Sequence, residues 1–184
     1  MDTLTVGPDL AQDLEFAEVR AWLDLLACVP KSFADEFGLT VERVGDAVVL
    51  CARGILCPLL NRALGVGLES PANERLLDRI LELGRRAPGK FLIHLVPTAR
   101  PRELPDLLAD RGLHPRGSWD RLYRDAAPLP DARQDGRPEE SEAPQRAEAV
   151  GGDAAEEWAG FVCQTHGLPC SKPCLRELVG RPGW

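Results

Sequence analysis

The chain holds 184 residues, with 22 Lys and Arg against 29 Asp and Glu, a formal charge of −7 and a sequence pI of about 5.0. Its basic residues are interleaved with acids throughout, so there is no cationic stripe of the kind that phosphate backbones demand, and a nucleic-acid partner is excluded. At 44% apolar residues the chain is able to bury a real core, while no apolar run approaches the roughly 18 residues of a membrane span.

Residues 1–8 carry neither the basic nor the apolar region of a secretory signal, so a soluble cytoplasmic protein with its six cysteines reduced is expected, with no membrane partner. Phe16, Val19, Leu23 and Leu26 recur at helical spacing, Trp22 and Leu25 widen that face, and Pro30 ends the run. Residues 39–44 and 47–53 are β-branched segments joined at Gly45-Asp46, turn chemistry that predicts an antiparallel hairpin. Residues 61–68 read as a short strand in which Gly65 and Gly67 mark a bulge or a close backbone approach. Ser70 and Pro71, a cap followed by proline, start a helix through Leu76, Leu77, Ile80 and Leu81 to about Arg86.

The apolar run 90–96 between Gly89 and Pro97 predicts a strand. Residues 102–111, with Leu104, Leu107 and Leu108, predict a helix stopped by Gly112. Residues 118–124 predict a closing strand. The order α, β, β, β, α, β, α, β is that of a mixed α/β domain with a hairpin ahead of a βαβ unit. Val48, Leu50, Leu76, Ile80, Phe91, Ile93, Leu107 and Leu122 are its expected core.

Residues 126–149 contain four prolines and no large apolar residue except Leu129, which reads as a flexible linker after a domain at 1–125. Residues 150–184 are too few to stand alone. Within them Asp153 and Glu156 form a capping box ahead of Trp158, Phe161, Val162 and Thr165. Ser171 then opens a short helix carrying Leu175, Leu178 and Val179 before Gly180. The four metal-capable residues Cys163, His166, Cys170 and Cys174 lack a Cys-x-x-Cys knuckle, so no metal is expected, and Cys51 and Cys57 read as core thiols.

The series PLLNRALGVGLESPANERLLDRILELGRR, KFLIHLVP and RPRELPDLLADRGLHPRGSWDRLYRD resembles the amino-terminal half of tandem GCN5-related N-acetyltransferases, the GNAT superfamily. The tail WAGFVCQTHGLPCSKPCLRELVGRPGW is similar to the opening helices of the second GNAT domain in those proteins. The resemblance implies a degenerate GNAT-like acyl-CoA N-acyltransferase fold over 1–125, an α+β mixed sheet, with a linker and a truncated second domain behind it. It also implies acetyl-CoA as cofactor and an amine as acceptor. In the family a Gln/Arg-x-x-Gly-x-Gly/Ala motif cradles the cofactor pyrophosphate on backbone N–H groups ahead of a helix. Arg62-x-x-Gly65-x-Gly67 stands there in this chain, so Arg62, Gly65 and Gly67 are the candidate cofactor-binding residues.

Three departures separate the chain from a working enzyme. The helix is expected only from Pro71, not directly behind Gly67. Leu108 occupies the position four residues before Gly112 where the family often places a tyrosine that protonates the CoA thiolate. Finally, the chain stops at Trp184, where the resemblance has the second domain's first long strand begin, so the catalytic half is expected to be absent. His94, on the face opposite Ile93 and Leu95, reads as a satisfied strand histidine instead of a general base, and Tyr123 as an interface residue. Three functions remain open: an acyltransferase, a non-catalytic module that binds CoA or a partner, and an inactive truncated remnant. The tail helices are expected to present faces suited to the sheet of a second domain, so self-association or a partner domain through them is expected.

Overall fold

A computed structural model describes residues 7–118, 150–166 and 172–181. The chain divides into two units, residues 1–113 together with 150–184, and residues 114–149, of which only 114–118 are described. Every helix and strand named below belongs to the first unit.

The amphipathic run predicted as the first helix forms α1 (Pro8–Ala27). Behind it stands a helix that the periodicity did not announce, α2 (Lys31–Phe37), entered from Pro30 and closed by Gly38 in the left-handed conformation. Phe33 and Phe37, one turn apart, hold it with ring centroids 4.6 Å from each other. The predicted hairpin follows as β1 (Leu39–Val44) and β2 (Ala47–Ala52), antiparallel from Leu39 opposite Ala52 to Val44 opposite Ala47. Strand β3 (Arg62–Leu64) pairs antiparallel with β2, and β4 (Leu92–Ile93) pairs parallel with β3. The sheet order is β1-β2-β3-β4, a mixed sheet within an α/β fold.

Strand β2 is buried along its whole length because both faces of the sheet are covered. Successive side chains leave a strand on opposite faces, so Val48 and Leu50 of β2 join Leu64 beneath Val19, Trp22, Leu23 and Leu26 of α1. Ala47, Val49 and Ala63 face the other way, onto Leu77, Ile80 and Leu83 of α3 (Glu74–Gly84) and Leu104 and Leu108 of α4 (Leu104–Ala109). Of the expected core, Val48, Leu50 and Ile80 are fully buried. Leu76, Phe91, Ile93 and Leu107 pack at its margin, and Leu122 lies outside the described residues, as does most of the predicted strand 118–124.

Several boundaries differ from expectation: β3 keeps only three residues of the predicted strand 61–68, α4 is shorter than the predicted 102–111, and two further differences concern α3 and β4. Helix α3 starts three residues later than the Ser70-Pro71 signal. The Ala72 N–H is tied to the Arg100 carbonyl at 2.8 Å, and Asn73 supplies the cap by accepting the Leu76 N–H at 2.9 Å. The apolar run 90–96 yields only two strand residues, Leu92 and Ile93, which pair with Arg62 and Ala63 of β3. Gly112 lies in the turn that closes α4, with φ +80° and the Leu113 N–H returning to the Leu108 carbonyl, although the helix itself stops at Ala109.

The carboxy-terminal segment is docked on this unit. A single 3-10 turn (Gly152–Ala154) leads into α5 (Ala155–His166), and α6 (Lys172–Arg176) follows. Cys174 enters an apolar cluster with Phe33, Ala52 and Ile55 at the α2 end of the sheet. Among the described residues no helix is long and apolar enough to cross a membrane.

Candidate functional site

Two places on the first unit concentrate polar chemistry. The first lies between α1 and the sheet. Glu15, Glu18 and Trp22 recur three and four residues apart, which sets them one above another on a helix face. That face meets β3 and the end of β4. Arg62, though 1% exposed, places its guanidinium 3.1 Å from a Glu18 carboxylate oxygen and 4.4 Å above the Trp22 ring. His94 follows β4 on the same side, its Nδ1 4.0 Å from the other Glu18 oxygen. Its alternation away from Ile93 and Leu95 is as the sequence predicts, since those two pack with α3 and α4.

Glu15, 7% exposed, completes the group: one ligand-capable atom from each of Glu15, Glu18 and His94 lies within 4.8 Å of the others. Two carboxylates and an imidazole are donors a divalent cation accepts. The guanidinium beside Glu18 already supplies the positive charge, and an added cation would have to compete with it. The arrangement therefore suits a fixed internal salt bridge, with the indole face contributing a cation–π contact.

The second place is the connection from β3 to α3, which carries the two glycines of the candidate motif. Both take the left-handed conformation, Gly65 at φ +75° and Gly67 at φ +76°. The Leu68 N–H turns back to the Gly65 carbonyl at 3.3 Å. Across the loop, Arg100 donates its N–H to the Gly67 carbonyl at 2.8 Å, accepts the Ala72 N–H, and extends its guanidinium to the carbonyls of Leu68 and Glu69. Gln12 of α1 reaches the Leu68 carbonyl as well. A methyl group on Gly67 would sit 2.3 Å from the Arg100 carbonyl oxygen. Glycine is required here because another part of the same backbone lies against it.

Arg62, Gly65 and Gly67 thus occupy neighbouring positions but face different surroundings. Arg62 points into the α1 cluster, whereas Gly67 lies against the backbone of residue 100. Leu108, at the position of the family's tyrosine, is buried in the core. Tyr123 and Cys170 lie outside the described residues. Burial pushes the Cys28 and Cys51 thiols above their ordinary range, which makes them poor nucleophiles.

Sequence reasoning missed Glu15, Glu18 and Asn61. The Asn61 side chain accepts the Ala52 N–H at 3.0 Å and donates to the carbonyls of Ile55 and Cys57, bracing the turn from β2 into β3. Compared with known proteins, the chain matches no family model, no curated protein and no solved structure, so its functional reading rests on the geometry above.

Proposed function

We propose that the protein is a GNAT-related module without acetyl-transfer activity of its own, which holds a partner domain instead of turning a substrate over. The observation that carries this reading is the closure of the loop at residues 65–72 by Arg100. Where a cofactor pyrophosphate would need room and free backbone donors, the chain's own backbone lies against Gly67 and ties the Ala72 N–H. Kinship with the superfamily is supported by the element order and by the parallel pairing of β3 with β4 through α3. Leu108, buried in place of a proton donor, speaks against turnover.

The acyltransferase reading keeps one observation in its favour, the left-handed conformation of both motif glycines. Titration calorimetry with acetyl-CoA, run beside a CoA-release assay on a panel of amines, separates the two. The expected result is no saturable binding below about millimolar, weaker than about −4 kcal/mol, and no release. A micromolar constant with CoA release would overturn the proposal. Binding without release would identify CoA as the ligand of a non-catalytic module.

A further inference from the structure

Helix α5 carries apolar side chains on two faces. Ala155, Ala159 and Cys163, spaced four residues apart, are buried. On the side of α6, Lys172 binds Glu156 at 2.6 Å, and its side chain comes within 3.5 Å of the place where a Cβ on Gly160 would stand. The other face is open. Val150, Ala154, Glu157, Trp158 and Phe161 line a groove of about 280 Å³, and Phe161 is 68% exposed. Ala154, Trp158 and Phe161 follow one another at four and three residues, which aligns them in one stripe about 10 Å long, two helical turns. The acid in the lining differs from its neighbour: Glu156 is held by Lys172 and Arg176, whereas among the described residues no cation pairs with Glu157.

We propose, resting on the partner-holding reading above, that this groove takes a basic amphipathic helix of the partner. Its shape selects a helix. An apolar stripe over two turns receives the ridge of a second helix, whose own apolar residues at matching spacing cover Trp158 and Phe161. Its charge selects the sign. A Lys or Arg beside those apolar anchors pairs with Glu157 and lies over an aromatic face, a cation–π contact. An acidic helix would set like charge against Glu157 and against a chain of net charge −7. A second copy of α5 is disfavoured on the same ground. Packed antiparallel about the middle of the stripe, two copies would bring their Glu157 carboxylates together.

The test titrates the full-length chain into a fluorescently labelled synthetic helix of about 15 residues, with leucines along one stripe and lysines on its flanks. Anisotropy should show saturable binding with a micromolar constant, weakened about tenfold in Glu157→Lys and by more in Phe161→Ser. The same helix with glutamates for lysines should not bind the parent chain and should bind Glu157→Lys. Both substituted side chains are exposed, so the variants keep their fold, which amide spectra over 155–166 verify. Failure of the lysine helix to bind the parent chain would overturn the inference, as would equal affinity for Phe161→Ser, since the helix then has no seat in the groove. Self-association of the parent chain in sedimentation, lost in Phe161→Ser, would overturn it too by making a second copy the occupant. CoA release is read in its own assay, so the absence of acetyl transfer stands or falls apart from what the helix binds.

Discussion

Among the described residues, Arg62 is a charged side chain buried to 1% exposure. Its guanidinium is held by the Glu18 carboxylate at 3.1 Å and covered by the Trp22 ring, so removing either member of the ion pair leaves the other in a largely buried place. Arg62→Ala should lower stability by about 3–5 kcal/mol, read from urea unfolding, because the Glu18 carboxylate then stays between α1 and the sheet without that guanidinium. Replacing both partners by apolar residues of similar size, Arg62→Met with Glu18→Leu, should recover most of that loss. If the double variant is as unstable as the sum of the two single ones, the pair is not coupled and the cluster has another organiser.

Among the elements, α3 shows how burial divides a run of neighbouring leucines. Its buried line is Leu77, Ile80, Leu83 and Gly84, while Leu76 lies at the flank of the same core. Gly84 belongs to this line because the Phe91 ring packs where its Cβ would be. Leu77→Ala should therefore cost about 2–5 kcal/mol, and Leu76→Ala distinctly less, in thermal or denaturant unfolding. Equal costs would mean that the helix is rotated about its axis relative to the sheet. The helical wheel alone leaves this choice open, since residues 76 and 77 both fall within the apolar arc.

For the molecule as a whole, the two tail helices are joined in part by exposed charges, Lys172 and Arg176 reaching Glu156. Glu156 has its pKa lowered chiefly by its hydrogen bond with Lys172. A carboxylate whose folded pKa is depressed contributes stability above its ordinary pKa and loses it as pH falls through the lowered folded value. Acid should therefore loosen the α5–α6 pair below the ordinary glutamate range. Amide NMR shifts over 155–166 and 172–176 should titrate there, with a midpoint that moves up toward the ordinary value in Lys172→Met. An unmoved midpoint would show that Lys172 does not hold Glu156 in solution.

Composition and periodicity by themselves determined the hairpin at Gly45-Asp46, the α1 stripe, the turn at Gly112 behind α4 and the side of the sheet on which His94 lies. Each of these depends on residues adjacent in sequence or one turn away. The α2 helix was written in the same terms, with Pro30 before it, Gly38 after it and Phe33 and Phe37 a turn apart, but a single turn-to-turn pair is too short a period to stand out. Glu15 was legible in principle as well. It shares the stripe of Val19, Trp22 and Leu26, and an acid in an apolar stripe signals a buried partner. Which groups it meets was not legible, because His94 is brought beside Glu15 and Glu18 through the pairing of β3 with β4. The contact of Arg100 with Gly67, and of Arg181 with Asp24, likewise joins segments whose local sequence carries no trace of the other, and only the tertiary structure could decide them.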